Sequence, residues 1–156
     1  MAGYRFLTTW LLDAPREAVW EAIHEIERWP DWWRGVERVE KLAHGDEDGI
    51  GAVYAHCWRS IVPYPVHFRV TVERVERPRL IAARAEGELA GTGVWRLYDG
   101  AGTAVTYDWR VRTTRPWMNA VAPVARPVFA WNHHVVMRRG GEGLAGLLGT
   151  TLLARS

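Results

Sequence analysis

The feature that most constrains this chain is a change in the spacing of its apolar residues. From Val36 to Thr113 they recur mainly at every second position, and from Val121 to Leu148 they return at every third and fourth. A period of two belongs to β-strands and one of about 3.6 to helices. Turn signals at His44–Gly49, Pro63 and Pro65, Arg77-Pro78 and Asp99-Gly100-Ala101-Gly102 cut the first stretch. They divide it into about six short strands joined by hairpins. Its clearest strand alternates Val66, Phe68, Val70 and Val72 with His67, Arg69, Thr71 and Glu73.

Ahead of these strands, Tyr4–Leu12 is expected to be a strand, and Asp13 is placed to cap a helix with Pro15 in its first turn. In that helix Ala18, Val19, Ala22, Ile23 and Ile26 share one side, with Glu17, Glu21, Glu25 and Arg28 opposite. Pro30 is expected to stop it near Trp29, at the joint Trp29-Pro30-Asp31-Trp32-Trp33. The last helix carries two apolar stripes, Val124/Val128/Trp131/Val135 and Phe129/Val136/Met137/Leu144. Gly140-Gly141 weakens it without ending it. The order implies an α+β fold: a curved antiparallel sheet of about seven strands wrapped around one long C-terminal helix, the only cover available for the sheet's apolar face. A cleft between sheet and helix is where a ligand is expected.

With 156 residues and 48% hydrophobic content, the chain is expected to form one domain over 1–156. A net charge of +2, with basic residues scattered, argues against a nucleic-acid partner. A lone Cys57 excludes a disulfide framework and fits a cytoplasmic protein. The apolar tail Gly143–Ala154 falls short of the ~20 residues needed to span a bilayer, so membrane insertion is not expected.

The six histidines (His24, His44, His56, His67, His133 and His134) show no metal-ligand spacing, and neither metal nor cofactor is expected. Cys57 and its neighbour His56 point to opposite faces of a strand, so they cannot pair there as nucleophile and base. No nucleophile elbow, phosphate loop or dinucleotide fingerprint occurs.

Three segments carry a family resemblance: Ala14-Pro15-Arg16-Glu17-Ala18-Val19-Trp20 leading to Trp29-Pro30-Asp31-Trp32-Trp33; Gly91-Thr92-Gly93-Val94-Trp95-Arg96-Leu97; and Trp131-Asn132-His133-His134 with Met137 and Gly141-Glu142-Gly143-Leu144. With the order of elements, they resemble the helix-grip fold of the START-related SRPBCC superfamily, in its polyketide cyclase/dehydrase and lipid-transfer-like branch. The resemblance implies a hydrophobic small-molecule ligand. It transfers no catalytic residue, because its motifs are structural.

Read from the residues themselves, ten tryptophans are the compositional anomaly. Trp10, Trp20, Trp29, Trp32 and Trp33 fall around the first strand and helix, where packing and the family resemblance account for at least Trp20 to Trp33. Trp58, Trp95, Trp109 and Trp131 fall on strand faces or the long helix, and with Tyr54, Tyr107 and Asn132 they form the expected ligand-binding set. His133 and His56 are the candidates for proton transfer. The resulting expectation is a polyketide cyclase/aromatase-like protein enclosing an aromatic or polycyclic molecule. The alternative is a non-catalytic carrier of lipid-like ligands. A third reading is a docking module that uses Trp32 and Trp33 as an exposed patch. A homodimer is left open.

Overall fold

The computed structural model describes residues 3–59, 64–114 and 116–155. Its strands are β1 (Gly3–Leu12), β2 (Val36–Ala43), β3 (Val53–Trp58), β4 (Val66–Glu76), β5 (Leu80–Gly87), β6 (Leu89–Asp99), β7 (Thr103–Thr113) and β8 (Leu152–Arg155). All eight join one antiparallel sheet in the order β2-β3-β4-β5-β6-β7-β1-β8. Helices α1 (Arg16–His24) and α2 (Trp29–Trp32) lie between β1 and β2, and α3 (Pro116–Leu147) follows β7. The helix-grip expectation holds, with one strand more than the seven anticipated. The addition is β8, four residues that pair with the end of β1.

Two local expectations are corrected. The Asp13 side chain does not cap α1: Pro15 occupies the cap position, and no side chain bonds the helix start. The Asp13 backbone instead ties β1 to the chain's end, its N–H donating to Thr151 O while Thr150 Oγ1 donates to its carbonyl. Nor does Pro30 stop α1, which already ends at His24. Pro30 opens the separate one-turn helix α2, where its missing N–H costs nothing.

The core is built from indoles. Trp10, Trp20 and Trp33 are nearly or wholly buried, and Trp33 meets Trp10, Trp29 and Trp58 edge-on or tilted at 5.0–5.6 Å. A buried indole N–H usually finds a hydrogen-bond partner; Trp20 Nε1 has none among the described residues, whereas those of Trp33 and Trp10 do. Trp33 Nε1 donates to Val136 O at 2.9 Å, and Trp10 Nε1 to Met137 O at 3.1 Å, both on α3. These carbonyls lie one turn before Gly140 and Gly141. A Cβ at Gly140 would lie 2.5 Å from the Trp33 ring and 2.9 Å from that of Trp10. The glycines therefore bare the helix backbone so that two indoles can reach it, and this contact seats the C-terminal half of α3 on the sheet.

Along α3, Val136, Met137 and Leu144 are buried and Phe129 half-buried, whereas Val124, Val128 and Trp131 are 85%, 51% and 59% exposed. Only the second of the two apolar stripes faces the sheet throughout.

Candidate functional site

Between the concave face of the sheet and α3 lies a cavity of about 170 Å³. Its floor is made of small residues, Ala83 and Ala85 on β5 and Gly93 on β6. A Cβ at Gly93 would lie 2.6 Å from Tyr107 Oη and 3.0 Å from the Trp109 ring, so glycine is what lets those two side chains lie across the sheet. The low floor also lets the walls approach. Phe68 on β4 and Trp109 on β7 have ring centroids 6.1 Å apart, although β5 and β6 separate their strands.

Aromatic rings form the walls. Trp95 stacks on Tyr107 at 4.0 Å, and Tyr107 on Trp109 at 5.7 Å. Opposite them on β3, His56 lies parallel to Phe68 at 5.1 Å, with the ring planes 2° apart. Trp29 closes one end, 5.8 Å from both His56 and Trp95. Helix α3 contributes Phe129, Asn132, His133, Val136 and Met137, and His133 stacks on Phe6 of β1 at 4.1 Å.

Among the described residues no charged side chain lines the cavity, and its histidines, Tyr4 and Tyr107 are held neutral. Burial lowers His56 from the ordinary 6.5 to about 4. Burial, assisted by the neighbouring His134, lowers His133 to about 4 as well. Burial raises the phenol of Tyr107 far above its ordinary 10.0, and the Asp108 carboxylate adds to the effect. Burial also raises Tyr4, against the opposing pull of the Arg126 guanidinium 4.6 Å from its ring centre. Near pH 7 the site thus offers protonated phenols and uncharged imidazoles.

Three of these groups are incompletely bonded. Tyr4 Oη, His56 Nε2 and His133 Nε2 are buried with no hydrogen-bond partner among the described residues. Each such atom costs about 1–3 kcal/mol unless something satisfies it. The other nitrogen of His56 is satisfied: Trp58 Nε1–H donates to Nδ1 at 3.0 Å.

Of the residues expected from sequence, His56, Trp58, Trp95, Tyr107, Trp109, Asn132 and His133 line the cavity. Tyr54 does not. It shares a strand face with His56 and Trp58 but is packed into the core beyond the end of the cavity, with Lys41 5.7 Å above its ring. Trp131 does not either: its side chain points away from the sheet and is 59% exposed, although Val135 on the same stripe is buried. The exposed Trp32/Trp33 patch is also corrected: Trp33 is 1% exposed and Trp32 half-buried.

Sequence reasoning missed Tyr4, Phe6, Trp29 and Gly93 as lining residues. The even parity of Tyr4 and Phe6 along β1, matching buried Thr8, Trp10 and Leu12, was the available signal for the first two. Among the described residues no group of His, Cys, Asp and Glu could hold a metal ion, and no helix is long and apolar enough to cross a membrane.

Several solved structures share this architecture. The Zhui aromatase/cyclase from Streptomyces sp. R1128 matches with a TM-score of 0.73 at 17% identity, over 95% of this chain and 94% of that one. A START superfamily protein from Mycobacterium smegmatis matches with a TM-score of 0.70 at 14% identity, over 95% and 96%. The di-domain ARO/CYC BexL of the BE-7585A biosynthetic pathway matches with a TM-score of 0.74 at 16% identity, over 94% of this chain, which spans about half (50%) of BexL. At these identities the likeness shows the fold alone. No curated protein sequence matches. Residues 5–148 match the family described as polyketide cyclase / dehydrase and lipid transport. That match over nearly the whole chain places the protein in the polyketide cyclase / dehydrase and lipid transport family.

Proposed function

We propose that the protein encloses an aromatic or polycyclic small molecule bearing oxygen functions and acts on it as a polyketide cyclase/aromatase-like enzyme. One observation carries the reading: three buried polar atoms, Tyr4 Oη, His56 Nε2 and His133 Nε2, lack partners among the described residues on the walls of a largely apolar, aromatic cavity. An apolar ligand would leave all three unsatisfied, whereas carbonyl or hydroxyl groups would pair with them.

Cyclisation of a carbonyl chain needs a shaped pocket and a group that moves a proton near a carbonyl. His133, neutral near pH 7, takes a proton from the carbon between two carbonyls and returns it to the oxygen formed when the ring closes. The Tyr4 and Tyr107 phenols, still protonated, hydrogen-bond the oxygens on which negative charge develops.

The second reading, a carrier of hydrophobic ligands, draws on the lack of any carboxylate among the described lining residues, which leaves few groups for acid–base work. Native mass spectrometry of protein purified from its own host tests occupancy, and a bound oxygenated aromatic is the expected result. Turnover of a poly-β-carbonyl substrate then separates enzyme from carrier. His133→Ala is expected to lower kcat by about 100-fold or more. Unchanged turnover would remove His133 from the mechanism.

A further inference from the structure

The two cavity histidines are not equivalent. Trp58 Nε1–H can only donate, and it lies 3.0 Å from His56 Nδ1. Nδ1 must therefore accept. In the neutral ring the single proton then resides on Nε2, the atom without a partner among the described residues. Neither ring is free to turn. His56 is 4% exposed, parallel to Phe68 at 5.1 Å and 5.8 Å from Trp29. The Trp58 indole is held edge-on by Trp33 at 5.0 Å and by Trp29 at 6.4 Å. The two side chains stand two residues apart on β3, so they share the face toward the cavity.

We infer that Trp58 is a positioning residue that fixes the tautomer of His56, so that His56 Nε2–H serves as a dedicated hydrogen-bond donor selecting ligands with a carbonyl or enolate oxygen at the β3 wall. The inference rests on the reading of the cavity as an aromatic-ligand site, and it assigns the two histidines different work. His56 cannot act as a general base through Nε2, because that nitrogen already carries the proton. Nor can it become an imidazolium without setting a second N–H against the Trp58 donor. It polarises an acceptor in place. His133 has no such lock among the described residues and remains the group able to exchange a proton.

The test separates tautomer, acceptor preference and aromatic binding. Nitrogen-15 spectra of the ligand-free protein are expected to show His56 as the Nε2–H tautomer, and Trp58→Phe is expected to shift it towards a mixture. Acetophenone and ethylbenzene, one-ring probes of matched shape, differ in a single acceptor oxygen. The ratio of their affinities cancels what the two rings share. Relative to the unaltered protein, His56→Phe, which can keep the stack on Phe68, is expected to lower the acetophenone preference about tenfold. Trp58→Phe, which keeps the histidine, is expected to lower it less.

An Nδ1–H tautomer in the unaltered protein, or a preference unchanged in both variants while both probes bind, would overturn the inference and leave the aromatic-site reading standing. Binding of neither probe would instead overturn that underlying reading, and the ligand preference with it.

Discussion

Neutral histidines inside a protein make its stability depend on pH, and the sign is fixed by the direction of their shifts. His56 and His133 titrate near 4 in the folded protein, against 6.5 ordinarily. Between those values the unfolded chain binds more protons than the folded one, so stability falls as pH falls. It is complete above about pH 6.5 and declines toward pH 4, each histidine adding up to about 1.4 kcal/mol per pH unit to the slope. Urea unfolding between pH 7 and pH 5, above most carboxylate titration, is expected to show this decline, and His56→Phe is expected to flatten part of it. A flat profile would mean that the two rings are solvated.

At this scale the sequence was a good guide to face and a poor one to position along an element. Strand parity placed Tyr54, His56 and Trp58 on one face, correctly. It could not show that the cavity ends before Tyr54, because that limit depends on where Trp29 and the core side chains close it.

At the scale of elements, α3 shows what periodicity can and cannot decide. Two neighbouring apolar stripes were visible, and nothing local distinguishes the one that faces the sheet. The choice is made by contacts distant in sequence, the indoles of Trp10 and Trp33 on the carbonyls of Met137 and Val136. Periodicity alone therefore cannot tell that Trp131 faces away from the cavity. The short strand β8 was likewise illegible, since four residues after a glycine-containing turn carry little pattern.

The same contacts yield a prediction against ordinary propensity. Gly→Ala in a helix interior normally stabilises by about 1 kcal/mol. At Gly140 the added methyl would lie 2.5 Å from the Trp33 ring, in a layer with no slack. Overpacking of this kind costs about 1–3 kcal/mol. Gly140→Ala is therefore expected to destabilise, read as a lower urea midpoint with an unchanged slope. A raised midpoint would show that the indole layer yields.

For the whole molecule, the order of strands and helices was legible because each change of period marks a change of element, and one long helix must cover the sheet. The cavity was legible only as a cleft, because its volume depends on small residues that carry no periodic signal. Ala83, Ala85 and Gly93 lower the floor and thereby bring aromatic walls from β4 and β7 within reach of one ligand. At about 170 Å³ the cavity is close to an engineered apolar cavity of roughly 150 Å³ that binds benzene, so a single ring fits with the side chains as they stand.

Oxygenated aromatic molecules are expected to bind in the cavity between the sheet and α3. Side-chain chemical-shift mapping during titration with acetophenone tests this most directly. The expected result is saturable shifts at Tyr4, His56, Tyr107, Trp109 and His133, none at the outward-facing Trp131, and loss of the whole set in Gly93→Val, whose side chain would push Tyr107 and Trp109 into the space. Shifts confined to Trp131 and its exposed neighbours, or saturable binding that survives Gly93→Val unchanged, would contradict it.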